Sequence, residues 1–474
     1  MRLSWLPAIL SLAAAGMPAA HAEPLHRYQV EVSDSLDRMR VRACFEGAAP
    51  SALQAETSGA RAFLKQVELP GGAPARLPDG ERIPLEGVAD DSCIEYRVQL
   101  DPVRGGAQSG GPESRWVGRD LLTSIGDWLW RPPADAGELE LSFKLPEGVN
   151  VSTPWRPVPG AGGTRAYRLG PTPNWAGIVA FGRFTERHIT VGNANLHVAM
   201  LDGPPPQQQA SIERWIAEAA RNVATLRGRF PVDSVQVIVA PTPRGTGPVP
   251  WAYVSRGGGP AVHFFINPTH PPKAFERDWS ATHEMSHLFL PYVVARDVWL
   301  TEGLPTYLQN TLMARGGAID EREAWKRMIV GFQRAAKVGT GMSLARASER
   351  VGVGGLYQRV YWAGAALMLE ADLRLREQSG GSQSLDTALD AITQCCLGQD
   401  RRWSAAELTE QLDRATGSTV FSDIVRDRLD DGEFPDFQAV LVRAGVTVVN
   451  GEVVLDPAAP WAAQRESLMR RSED

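Results

Sequence analysis

Beyond its first residues the chain has no apolar run long enough to cross a bilayer as a helix, which takes about 20 residues. It has no Lys/Arg-rich run either. Basic and acidic residues are interspersed and leave a net charge of -6, so the electrostatic footprint of a nucleic-acid surface is missing. No segment repeats at a fixed period, which argues against a solenoid or a propeller. Cysteine is scarce at 4 residues and histidine at 8 in 474, so a histidine pair at ligand spacing carries weight. With 43% hydrophobic and 22% charged residues the composition is globular, and the length calls for two or three domains.

The first 22 residues have the form of an export signal. Arg2 supplies the positive end, Leu6 to Leu12 and the following alanines a short apolar stretch, and Ala20-His21-Ala22 a cleavage site of small residues. Pro7, Gly16 and Pro18 disfavour a spanning helix. The expected mature chain starts near Glu23 and is periplasmic or secreted, and no cysteine follows the cleavage site to carry a lipid. In an oxidising compartment Cys44 and Cys93, each in a strand-like segment, are expected to form a disulfide, two buried thiols being the alternative. Cys395 and Cys396 end a helix-like segment and are expected to pack as small apolar groups rather than to bind metal.

Residues 23–188 read as a β-sandwich: short alternating stretches such as Tyr28 to Val32, Glu138 to Phe143 and Ile178 to Phe181 are separated by Gly/Pro-rich turns. From 189 the pattern changes. A strand over Ile189 to Met200, a helix over Ser211 to Arg229 and strands over Ser234 to Ala240 and Ala261 to Ile266 precede helical periodicity over 279–293, 301–315, 320–337, 357–378, 384–396, 405–416 and 420–430. This predicts an α+β chain with a catalytic unit at 189–315, a helical bundle at 316–446, and a hairpin around Asn450-Gly451 with a polar tail at 447–474.

The chemistry lies in His283-Glu284-Met285-Ser286-His287. On a helix, positions i and i+4 stand one above the other, so both imidazoles can reach one ion, while Glu284 is rotated beside it, where a base for a bound water belongs. Asp278 or Ser280 can cap that helix, and Leu288, Phe289 and Leu290 continue its apolar face. Random order would produce the five-residue pattern in about one such chain in a hundred. Catalytic zinc usually takes three protein ligands. The third candidate is Glu302, in Trp299-Leu-Thr-Glu302-Gly-Leu-Pro-Thr-Tyr307, where Thr301 is the expected N-cap and Pro305 falls in the tolerated first turn. Taken alone Glu302 could be a carboxylate favoured by a helix dipole; placed fourteen residues after the second histidine, on its own helix, it reads as a ligand.

The two motifs together resemble those of the gluzincin metallopeptidases, most of all the glycyl aminopeptidase-like family, with the aminopeptidase N family more distant. The resemblance covers roughly residues 180–446, including Tyr361-Trp-Ala-Gly364-Ala-Ala-Leu, Leu373-Arg-Leu-Arg376 and Ser384-Leu-Asp386. It implies a thermolysin-like catalytic unit that holds Zn2+ on His283, His287 and Glu302, uses Glu284 as general base, and steadies the oxyanion with Tyr361, Tyr357 being the rival one turn earlier. The substrate it implies is a peptide or protein. Gly257, Gly258 and Gly259 match the glycine-rich strand that approaches substrate backbone in such enzymes. The chain departs from the pattern in three places. Ala363 replaces a lysine, the spacer from His287 to Glu302 is short, and no carboxylate stands between Gly257 and Asn267 to hold a free amine. Exopeptidase specificity therefore stays open. The competing readings are a catalytically silent exported binding or assembly protein that kept its zinc, and a hydrolase of another small amide or epoxide. His188, His197, His263 and His270 belong to no motif and read as structural.

Overall fold

The structure, a computed structural model, describes residues 24–470 except 58, 102, 105–113, 134–136, 161–164, 170–176, 243–244, 257 and 400. The expected signal segment and Gly257 therefore lie outside the described residues. No described helix is long and apolar enough to cross a membrane.

Alternation builds the first sheet. In Leu25–Val32 the residues His26, Tyr28, Val30 and Val32 face inward, and the strand pairs antiparallel with Arg38–Cys44 and parallel with Glu138–Lys144. The described strands of this sheet number seven with it, and Cys44 lies directly opposite Cys93 in the register and is bonded to it. In the second sheet, alternation disappears. Asp120–Ser124 and Ile178–Gly182 are buried throughout because both their faces are covered. Leu121, Val179 and Phe181 join the core of the first sheet, whereas Leu122, Ile178 and Ala180 pack on Ala199, Ile238, Ala240 and Phe265 of a third sheet. Three sheets are thus stacked, and the helices cover the far side of the third.

The third sheet runs in the order Thr185–Val191, Ala194–Met200, Ser234–Pro241, Ala261–Ile266, Trp251–Ser255. It corrects the sequence reading twice. The single strand expected from Ile189 to Met200 is a hairpin, turned by Gly192 at φ +55° and Asn193, and its first strand begins at Thr185, inside the segment read as sandwich. The edge strand Trp251–Ser255 was not foreseen; among the described residues it pairs with Ala261–Ile266 alone.

One continuous core joins this sheet to the helices, from Ile189 to Met469, so residues 189–315 and 316–446 share their interior. The central helix, Val298–Arg315, has 15 of 18 residues buried. It crosses the long helix Leu356–Gln378 at two glycines. A Cβ on Gly303 would lie 2.5 Å from the Gly364 Cα, and one on Gly364 would overlap the Trp299 carbonyl oxygen. Further along, Tyr307 donates to Asp372 at 2.8 Å, Arg376 pairs with Asp372 at 2.9 Å, and Arg315 pairs with Asp386 at 2.7 Å, which fixes the helices lengthwise. The expected polar tail also needs correction. After the Val446–Val449 and Glu452–Leu455 hairpin, a helix at Ala462–Met469 buries Leu468 and accepts a hydrogen bond from Arg315 at the Leu468 carbonyl. Cys395 and Cys396 differ from expectation as well. They are bonded to each other, Cys396 buried and Cys395 exposed, rather than packed as thiols.

Gly364→Ala should therefore lower the thermal unfolding midpoint, at a cost of about 1–3 kcal/mol for overpacking. Gly398→Ala, with open space around it, is the control and should be neutral. Equal midpoints in differential scanning calorimetry would show that the crossing is not tight.

Candidate metal centre

The motif helix is shorter than its periodicity implies. Ser280–Ser286 is α-helical, His287–Phe289 is a tight 3-10 turn, and Leu290 is extended because Pro291 follows it. Asp278 accepts the Ser280 N–H at 2.9 Å. His283 and His287 still stand one turn apart, their ring centroids 5.1 Å from each other. Thr301 is not the N-cap of the next helix. That helix starts three residues earlier, at Val298, so Glu302 occupies its second turn and Pro305 its interior. The shift arises because Val298, Trp299 and Leu300 join the core and pull an extra turn inward.

The ligand atoms converge. His283 Nε2 lies 3.3 Å and His287 Nε2 3.6 Å from Glu302 Oε2, and the three potential ligand atoms all fall within 4.8 Å of one another. Zinc bonds of about 2.0–2.1 Å in a tetrahedron put neighbouring ligand atoms about 3.3–3.4 Å apart, a separation that the two histidine–Glu302 distances approach. Glu284 Oε2 is 4.0 Å from His287 Nε2, beside the cluster rather than in it. The other nitrogen of His283, Nδ1, is 2.8 Å from Gln309 Oε1, which selects the tautomer and aims Nε2 at Glu302. Gln309 was missed in the sequence. It lies seven residues after Glu302, two helical turns along the same face, which is the signal that could have found it.

These residues line one cleft of about 570 Å³. Its floor carries His283, Glu284, His287, Glu302 and Tyr361, and the Tyr361 ring lies parallel to that of His283 at 6.3 Å. Tyr357 also lines the cleft, half exposed at its mouth, 6.1 Å from Tyr361. The wall is the stretch Val249 to Val254 with Arg256, not Gly258 or Gly259. Gly258 and Gly259 instead meet the N-terminal sheets: a Cβ on Gly258 would sit 2.6 Å from Trp155 Nε1, and one on Gly259 would overlap the Pro154 carbonyl. Of the histidines read as structural, His263 is fully buried and stacked 4.4 Å from Tyr253. His188 and His197 pair across a hairpin with their Nδ1 atoms 3.1 Å apart.

No family model and no curated protein matches the chain. Among solved structures, an aminopeptidase N family protein from Idiomarina loihiensis superposes with a TM-score of 0.68 at 13% identity, covering 90% of this chain and 79% of that one. The M1 zinc metallopeptidase from Deinococcus radiodurans gives 0.55 at 14%, covering 88% and 95%, and a mutant of it bound to a Tyr-Ser-Ala substrate gives 0.54. The chain shares the fold of these M1 metallopeptidase structures.

Burial dominates the electrostatics. With only the protein's own charges acting, it pushes Glu284 up to about 8, reinforced by Glu302 and opposed by His283. It pushes His287 down to about 3, leaving a neutral imidazole free to ligate. At His283 burial works against the charge, but the hydrogen bond to Glu302 and the Glu284 and Glu302 charges outweigh it and raise the pKa. At Glu302 burial is likewise outweighed, by His287 and His283, and the carboxylate is held below its ordinary range.

This donor set should bind one zinc per chain, read by inductively coupled plasma mass spectrometry. His287→Ala should lose the ion while circular dichroism stays unchanged. Gln309→Leu should weaken zinc affinity about 10- to 100-fold in a chelator competition, as loss of a supporting hydrogen bond does. Stoichiometric zinc in His287→Ala would rule the site out.

Proposed function

We propose that this chain is an exported zinc metallopeptidase. The observation that carries the reading is the convergence of His283, His287 and Glu302, with the Glu284 carboxylate beside them, on the floor of an open cleft. Zinc bound there supplies Lewis acidity to a water and to the carbonyl of the scissile bond. The chain's own residues do the rest. Glu284, 4.0 Å from His287 Nε2 and beside the ligand set rather than in it, takes the proton of the attacking water and passes it to the leaving amine. Burial, with the charges of Glu302 and Glu284, pushes the Tyr361 pKa well up, so its hydroxyl keeps its proton and can donate to the developing oxyanion.

The cleft is also built for a peptide. Trp251–Ser255 is the free edge of the third sheet, and an extended chain can add to it by backbone hydrogen bonds. Trp251, Trp279 and Tyr357 are 37%, 45% and 50% exposed, the described aromatic side chains with more than a third of their surface in solvent, and all three line this cleft. They offer flat apolar surface to substrate side chains. One similar structure, from Deinococcus radiodurans, is bound to the short peptide Tyr-Ser-Ala, which agrees with a peptide substrate. Among the described residues the only carboxylates lining the cleft are Glu284 and Glu302, which leaves a free substrate amine no separate counter-charge there. Cleavage then does not depend on a free amino terminus. Export is supported by the Cys44–Cys93 disulfide, which suits an oxidising compartment.

Glu284→Gln should keep zinc and lose turnover by several orders of magnitude on a peptide library resolved by mass spectrometry. The wild type should cut amino-terminally acetylated peptides. Activity of Glu284→Gln within tenfold of wild type would remove its role as base. A zinc-replete wild type that cuts nothing would favour a binding protein.

A further inference from the structure

One cationic side chain of the cleft has no carboxylate within ion-pairing distance, although the Glu302 charge acts on it from further off. Among the described residues Arg256 is the only Lys or Arg that lines the cleft. Its guanidinium donates to the His287 carbonyl and lies 5.9 Å from the centroid of the Tyr292 ring. The two carboxylates in reach are otherwise engaged: Glu302 faces both histidines, and Glu284 faces His287. A cation withdrawn from water without an anion is costly.

Its place in the chain says what the charge meets. Arg256 directly follows the edge strand Trp251–Ser255, so a peptide added to that edge runs to the guanidinium. We propose that Arg256 anchors a substrate carboxylate, so that the cleft selects peptides carrying an acid group, at the carboxyl terminus or on a side chain, where an amine-reading enzyme would hold an ammonium. Arginine suits the task because its planar fork matches a carboxylate with two parallel hydrogen bonds. The inference rests on reading the cleft as a peptide site. The competing role for Arg256 is a strut that only holds the His287 turn; a strut would affect zinc and every peptide alike.

Binding separates these cases without depending on turnover. The zinc-loaded mature chain carrying Glu284→Gln is titrated calorimetrically with three acetylated pentapeptides: one neutral with a free carboxyl terminus, its amide, and an amide with one internal aspartate. The expected result is at least about tenfold tighter binding of an acid-bearing peptide than of the neutral amide. Which of the two acids is preferred identifies the source of the carboxylate. Adding Arg256→Gln should collapse that ratio to about one with zinc content unchanged, and Arg256→Lys should retain part of it. Equal binding of acidic and neutral peptides while Arg256 is intact overturns the proposal, and needs no Arg256 variant to fold. So does a preference that survives Arg256→Gln, or a uniform loss accompanied by loss of zinc. A carboxylate preference in a protein whose wild type cuts no peptide would sink the peptidase reading and leave the anchor standing.

Discussion

Gly303 and Gly364 allow the central helix and the long helix to touch backbone to backbone, and a single methyl group on either would collide with the other. Glu302 directly precedes one of these glycines, and Tyr361 stands three residues before the other, about one helical turn. The contact therefore sets how far the carboxylate and the tyrosine reach toward His283 and His287. The Tyr307–Asp372–Arg376 and Arg315–Asp386 groups then stop the helices from sliding. Such buried charges are costly to unpair, so they penalise every other register more than they stabilise this one. Close approach fixes the distance and the ionic groups fix the register.

The interior that results is unusual in its balance of charge. Two carboxylates and one arginine surround the histidine pair, and burial opposes the charged form of each. A dication placed among the ligands would compensate Glu302 and Glu284 and leave the Arg256 charge over. An anionic substrate group relieves that remainder; an ammonium would add to it.

The histidine motif was legible because two residues four apart on a helix face the same way in any fold. Glu302 was legible for a similar reason, though its helix begins a turn sooner than Thr301 suggested. Other features depended on contacts between distant segments. Asp120–Ser124 lost its alternation only because a third sheet covers its second face, and nothing within the strand announces that. The glycines at 258 and 259 did mark a close approach, but to Pro154 and Trp155 rather than toward the cleft. Trp251–Ser255 escaped notice as five residues after a Gly/Pro loop, too short to show a period. The carboxyl-terminal helix hid its purpose in Trp461 and Leu468, seven residues apart and both buried, within a sequence that otherwise reads as polar.

One zinc ion is expected between His283, His287 and Glu302. Crystals of the mature protein, measured on both sides of the zinc absorption edge, would locate it by anomalous scattering. The expected map has one peak per chain, about 2.0–2.2 Å from His283 Nε2, His287 Nε2 and a Glu302 carboxylate oxygen, with Glu284 outside bonding distance. A peak at another site, such as the His188–His197 pair, or none from protein purified with zinc, would contradict the account.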